Sequence, residues 1–123
     1  MKDQHLFELC KEVYEKTGLN PYQGYNNWYR ENKTSKTRTV TSEAIAPRYT
    51  SDYLLEKLPS WYFDTDIEET MILALMPHML ETGKWIGRYE TPEHRGSEFE
   101  TIADTPLKSL LKLTLALNRE GLL

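Results

Sequence analysis

Apolar residues recur at helical spacing near both ends of the chain. They recur every three or four positions in residues 3–17, where Gly18 ends the pattern, and again in the leucine-rich segment between Pro106 and Gly121. A threonine suited to capping a helix precedes Pro106, and proline is well tolerated in a first helical turn. The patterns predict an N-terminal and a C-terminal helix, and residues 52–57 predict a shorter one.

Extended segments separate these predicted helices. Aromatic and β-branched residues in 22–31 and 36–41 flank a polar cluster, which predicts an antiparallel pair of strands joined by a turn. The aromatic residues of 61–64 predict a short strand. A second hairpin is predicted from 84–90 and 97–103, because the loop between them contains proline and glycine.

The segment near residues 66–82 is apolar and is predicted to be helical. Asp66 with Glu69 three residues later resembles a capping box, and the apolar residues that follow share one helical face. Pro77 removes an amide donor, so we expect it to kink or end that helix. A buried strand across Met71–Met76 is the alternative that the pattern leaves open.

These elements indicate an α+β fold in which an antiparallel sheet is packed by the N- and C-terminal helices, with an additional helical segment near residues 66–82. A chain of 123 residues is long enough to bury one core, so we expect residues 1–123 to form a single compact domain. Cys10, the one cysteine, is expected to be a buried small hydrophobe in the first helix. No apolar run approaches the ~18 residues that a membrane span needs, which predicts a cytoplasmic protein without membrane contact.

The charge of the chain bears on its partners. A formal net charge of −4 disfavours nucleic acid, because phosphate backbones are bound by clustered lysine and arginine. The segment from Arg30 to Arg38 nevertheless carries four basic residues and one acidic residue. Nucleic-acid binding through this strip is therefore kept as a third hypothesis.

The sequence lacks the familiar patterns of catalysis. His5, His78 and His94 fall in three separate predicted elements without the spacing of metal ligands. His78 is predicted on the apolar face of the helical segment near residues 66–82 and is expected to be a core or interface histidine. Neither a Gly-x-Ser-x-Gly nucleophile motif nor a glycine-rich phosphate loop occurs. We therefore expect no enzymatic activity, no metal site and no cofactor.

Aromatic and arginine residues supply the candidate binding site. Tyrosine, tryptophan and arginine are enriched at interaction hot spots, because each combines a large apolar area with a polar group. The alternative that alternating members of this set fill the core stays open, and for Trp28, Trp61 and Trp85 individually it is favoured. The candidates from the two predicted hairpins are Tyr25, Trp28, Tyr29, Arg30, Arg38, Arg88, His94 and Arg95.

Three segments carry a resemblance to a known group of proteins. The end of the first helix at Thr17, the stretch Tyr49–Pro59 and the stretch Ala103–Lys108 before the leucine-rich helix are similar to small proteins of tailed phages and prophages in Gram-positive bacteria. Some of these are described as α/β/α "ABA sandwich" proteins. The resemblance covers about a third of the chain and implies a phage origin and a compact helix–sheet domain, but no activity.

The leading functional hypothesis is a phage accessory protein that acts by binding. Its partner would be a host protein, such as a component of an anti-phage defence system, met in the cytoplasm of the host cell. The second hypothesis is a small-molecule binder in which an aromatic face stacks on a nucleotide base and Arg30, Arg88 or Arg95 holds a phosphate. A homo-oligomer is compatible with either hypothesis.

Overall fold

A computed structural model describes residues 4–20, 27–33, 40–93 and 96–123, and of residues 27–33 and 40–45 it describes the backbone. The predicted α+β fold is confirmed. None of the helices in these ranges has the length and apolar content needed to cross a membrane. The elements, in chain order, are α1 (Gln4–Thr17), β1 (Asn27–Lys33), β2 (Val40–Pro47), α2 (Ser51–Lys57), β3 (Trp61–Asp64), β4 (Glu69–Pro77), β5 (Trp85–Glu90), β6 (Ser97–Ala103) and α3 (Pro106–Arg119).

The chain divides into two compact units, Met1–Tyr49 and Thr50–Leu123. In the first unit, β1 pairs with β2 in antiparallel orientation and α1 packs against β2. The pairing is as predicted, but β2 extends beyond the predicted strand 36–41, whose first four residues lie outside the described ranges. Gly18 ends α1 with a left-handed φ of 72°, and its amide donates to the carbonyl of Tyr14 over 2.9 Å. That the whole chain forms a single domain stays a prediction. The buried residues of α1 are Phe7, Leu9, Cys10 and Val13, which confirms the expected burial of the cysteine.

The second unit is a four-stranded antiparallel sheet in the order β3-β4-β5-β6, with α3 packed against it. Thr105 caps α3 by accepting the amide N–H of Lys108 over 3.2 Å, and Pro106 occupies the first turn, as the sequence predicts. The helix α2, capped by Thr50, packs against α3. The predicted apolar stripe of α3 is buried at Leu110, Leu111, Leu113, Thr114 and Leu117.

Residues 66–82 contain a strand, so the predicted helical segment is wrong. β4 occupies Glu69–Pro77, and the strand alternative left open for Met71–Met76 is right. This strand lies between β3 and β5 and pairs with both. A short apolar run suits a buried strand as well as a helix, and here pairing with two neighbours decides in favour of the strand.

The acidic residues before β4 form a hairpin turn and do not cap a helix. The carboxylate of Asp64 accepts the amide N–H of Asp66 over 2.9 Å, and Glu68 takes a left-handed φ of 55°. Pro77 ends β4 without loss of a hydrogen bond. The amide N–H of Leu73 points towards β3. Because backbone N–H groups alternate sides along a strand, the nitrogen of residue 77 points to the same side, where β3 no longer lies alongside β4.

Gly87 in β5 marks the side of the sheet that α3 covers. A Cβ atom at Gly87 would lie 2.9 Å from Ser109 Oγ of α3, so the strand and the helix approach closely at a position without a side chain. Thr101 of β6 lies opposite Gly87, and its hydroxyl is 3.0 Å from Ser109 Oγ. We call this side of the sheet the helix face and the opposite side the outer face. By alternation along each strand, the outer face carries Trp61, Phe63, Thr70, Ile72, Ala74, Met76, Ile86, Arg88, Glu90, Glu100 and Ile102.

Candidate binding surface

The structure describes four of the eight candidate residues, at least in their backbone. Trp28, Tyr29 and Arg30 are consecutive in β1, with an irregularity in the pairing register between Trp28 and Tyr29. Arg88 lies in β5, in the other unit. Their role in binding stays a prediction. The remaining candidates, which lie outside the described residues, are Tyr25, Arg38, His94 and Arg95.

Arg88 is engaged by two carboxylates on the outer face. Its guanidinium contacts Glu90 over 2.9 Å and 3.0 Å, and Glu100 of the neighbouring strand over 3.2 Å. Arg88 and Glu90 are largely shielded from solvent, which strengthens their interaction relative to a fully exposed pair. The arginine therefore sits in a compensated, slightly acidic cluster in the middle of the sheet.

Large apolar side chains are exposed on the same outer face. Trp61 is 61% exposed and Phe63 is 49% exposed, both on the edge strand β3. Ile72 of β4 pairs directly with Trp61 and is 40% exposed, as is Ile102 of β6. A shallow groove of about 540 Å³ runs beside this pair and is lined by Ser60, Trp61, Thr70 and Ile72. We call Trp61, Phe63 and Ile72 the apolar patch.

Sequence reasoning did not place the apolar patch in the binding site. The period of two along residues 61–64 was available as a signal, because it puts Trp61 and Phe63 on one side and Tyr62 with Asp64 on the other. The pattern of these four residues does not indicate which of the two sides the rest of the protein covers. The position of α3 leaves the side with the two larger apolar groups uncovered.

A second cluster lies on the helix face, at the end of the sheet near the β3–β4 turn. The hydroxyl of Tyr62 donates to Glu98 over 3.2 Å, and the carboxyls of Asp64 and Glu98 are hydrogen-bonded to each other. That bond lowers the pKa of Asp64 and raises the pKa of Glu98. Burial, followed by the charge of Glu98, raises the pKa of Tyr62.

A bulge in β6 brings this cluster together. The register with β5 shifts between Gly87 and Tyr89, and Phe99 of the bulge has a left-handed φ of 59°. The ring of Tyr62 lies 5.1 Å from that of Tyr89 and 6.2 Å from that of Phe99. The sheet therefore curls enough for a residue of β3 to reach β6, although two strands separate them. Both carboxyls are partly accessible to solvent.

The loop between β4 and β5 presents two further apolar residues. Met79 is 94% exposed and Leu80 is 90% exposed. His78 organises the loop, because its Nδ1 accepts the amide N–H groups of Leu80 over 3.0 Å and Glu81 over 3.1 Å. His78 is half-buried beyond the end of a strand, so its predicted place on the apolar face of a helix is wrong.

Within the described ranges, no group of three or more His, Cys, Asp or Glu side chains is placed to hold a metal ion. No protein-family model, curated protein or solved structure matches the chain. We therefore infer its function from the geometry of its own residues.

Proposed function

We propose that this protein acts by binding another protein through the outer face of its four-stranded sheet. The observation that carries the proposal is the apolar patch, in which Trp61, Phe63 and Ile72 are each at least 40% exposed on one face. Single exposed apolar residues are common on protein surfaces, but adjacent large ones are typical of interaction sites. Tryptophan in particular is enriched among residues that dominate binding energy.

The polar residues of the outer face favour a protein over an anionic ligand. Of the arginines proposed to hold a phosphate, Arg88 is the one whose side chain the structure describes, and its guanidinium is bound by Glu90 and Glu100. An anion would have to compete with these two carboxylates for the guanidinium and would meet their negative charge at the site. A protein surface with an apolar centre could instead cover the apolar patch and leave the Arg88 cluster intact at its margin.

The resemblance to phage proteins identifies the first partners to test. If the protein is a phage accessory factor, its target is a host protein, and a component of an anti-phage defence system is the leading class. The target would need an apolar area that complements the apolar patch. Nucleic acid is the weakest of the three hypotheses, because the net charge of the chain is −4.

Two isoleucines provide a matched test of the binding surface. Ile72 lies in the apolar patch, whereas Ile67 is 51% exposed in the β3–β4 turn, outside the outer face. We would immobilise the wild-type protein, Ile72→Thr and Ile67→Thr, and identify proteins retained from a lysate of a Gram-positive host by mass spectrometry. Affinity for a retained protein should fall by about tenfold in Ile72→Thr and stay unchanged in Ile67→Thr. Equal retention by all three would contradict the proposal.

A further inference from the structure

The outer edge of β3 has a backbone that is ready to pair. The strand order β3-β4-β5-β6 leaves β3 at one edge, and no described strand pairs with its outer side. The amide of Leu73 in β4 donates to the carbonyl of Ser60 over 3.0 Å, so the backbone groups of Ser60 point towards β4. By the alternation of antiparallel ladders, those of Tyr62 and Asp64 also point inwards. The N–H and C=O groups of Trp61 and Phe63 therefore point outwards.

This edge is short and ends in the charged Asp64, but its central residues Trp61, Tyr62 and Phe63 carry none of the features by which proteins usually prevent strands from pairing. Edge strands are commonly protected by lysine, proline or a bulge, and β3 has the sequence Trp-Tyr-Phe-Asp with regular pairing to β4. Both residues whose backbone groups point outwards carry large, exposed aromatic side chains. Pairing with another strand would satisfy the backbone groups and cover part of these rings.

We propose that β3 pairs with β3 of a second copy of this chain, in antiparallel orientation about a two-fold axis at Tyr62. A symmetric pair must place residues of the same face opposite each other, so Trp61 can lie opposite Phe63 of the second copy. In this register Trp61 and the opposite Phe63 form a hydrogen-bonded pair. The backbone N–H of each residue donates to the backbone carbonyl of the other, which gives two hydrogen bonds per pair. Two symmetry-related pairs give four intermolecular hydrogen bonds and one continuous eight-stranded sheet.

The side chains fit this register on both faces. On the outer face, each tryptophan lies beside a phenylalanine of the other copy, and cross-strand aromatic pairs stabilise antiparallel sheets. On the helix face, the two Tyr62 residues meet at the axis. Each Tyr62 ring already leans towards Tyr89 and Phe99 of its own chain, which leaves space between the two rings. The contact is short, so the dimer should be reversible and depend on concentration.

The inference goes beyond the proposed function, because it requires no partner other than the chain itself. It is tested with the full chain alone, by sedimentation over a range of concentrations and by amide hydrogen exchange followed by NMR. The amides of Trp61 and Phe63 should gain protection as the concentration rises. The amide of Tyr62 bonds within the chain and should be protected at every concentration.

Two substitutions at one position separate backbone pairing from side-chain contact. Phe63→Pro removes an outward N–H that has no role in pairing with β4, and proline is tolerated in edge strands at such positions. It removes two of the four intermolecular hydrogen bonds, so the dissociation constant should rise about ten- to thirtyfold. Phe63→Ala keeps the N–H and should weaken the dimer less. Thermal melts of both variants report whether the fold is retained.

The outcomes that would overturn the dimer differ from those that bear on partner binding. The dimer is refuted if the wild-type chain stays monomeric up to millimolar concentration, or if it associates without protecting the amides of Trp61 and Phe63. Equal weakening by Phe63→Pro and Phe63→Ala would also refute pairing through the backbone. Each of these results leaves the comparison of Ile72→Thr with Ile67→Thr unaffected, because Ile72 lies in β4 and supplies no backbone group to the outer edge of β3.

Discussion

The contact between Gly87 and α3 makes a quantitative prediction about the core of the second unit. A Cβ atom at this position would lie 2.9 Å from Ser109 Oγ and 3.3 Å from Thr101 Oγ1. The first distance is shorter than real Cβ contacts, so Gly87→Ala must displace the Ser109 hydroxyl. That hydroxyl is 3.0 Å from Thr101 Oγ1 and donates to the Thr101 carbonyl over 3.2 Å, so displacing it disrupts both contacts.

The expected loss of stability follows from three contributions. Overpacking a core position destabilises by about 1–3 kcal/mol. A disrupted buried hydrogen bond adds about 0.5–1.5 kcal/mol. Replacing glycine by alanine restores about 0.4–1 kcal/mol, because the unfolded chain loses conformational freedom. Gly87→Ala should therefore lower the free energy of unfolding by about 0.5–4 kcal/mol, equivalent to a fall in Tm of about 4 °C per kcal/mol for a chain of this size.

A second substitution tests the cause of this loss. Ser109→Ala removes the oxygen at 2.9 Å, and the next contact of the added Cβ, with Thr101 Oγ1 at 3.3 Å, is tolerable. Thr101 Oγ1 keeps an acceptor in the carbonyl of Gly87 at 3.1 Å, so Ser109→Ala alone should have a small effect. In the Ser109→Ala background, Gly87→Ala should be neutral or slightly stabilising. Urea unfolding of the four proteins measures the coupling, and an equal loss in both backgrounds would refute the clash with Ser109.

Three further predictions concern the core, the acidic pair and the basic strip. Leu110 is fully buried in α3, so Leu110→Ala should lower the free energy of unfolding by about 2–5 kcal/mol; a Tm equal to that of the wild type would contradict its burial. Because the pKa of Asp64 is lowered and that of Glu98 is raised, the pair stabilises the fold most at pH values between these two pKa values. This contribution to the free energy of unfolding is lost as the pH rises through the pKa of Glu98, and it is also lost as the pH falls through the pKa of Asp64. Glu98→Gln should therefore stabilise the protein more at neutral pH than at acidic pH in urea unfolding, and an effect that does not depend on pH would argue against coupling between the two carboxyls. Arg30→Ala and Arg38→Ala should weaken binding of an acidic partner in calorimetry without changing the melting curve, with a smaller effect at high salt because exposed charges are screened; binding that is indifferent to both would make the strip part of the scaffold.

Local sequence signals determined the ends of the chain's helices. Gly18 has the positive φ that the sequence predicted for a helix stop, and Thr105 with Pro106 caps and opens α3 where the pattern placed them. These signals work because a helix end needs particular backbone angles and hydrogen-bond partners within a few residues. The two antiparallel hairpins were predictable for a similar reason, since a turn and its flanking β-branched or aromatic residues are close in sequence.

Tertiary structure decided whether residues 69–77 form a helix or a strand, and which surfaces are exposed. The apolar run of β4 suited both structures, and the strand prevails because β3 and β5 supply hydrogen-bond partners on either side. Trp61 is exposed, whereas Tyr62 is half-buried because its ring packs beside Tyr89 and Phe99 on the helix face, and no window of a few residues contains that information. The pair of Asp64 and Glu98 likewise depends on a bulge and curl that bring residues 34 positions apart together. The sequence alone thus determined the helix ends and the hairpins, which depend on hydrogen bonds between residues close in the chain. The candidate surface arises instead from packing between distant segments.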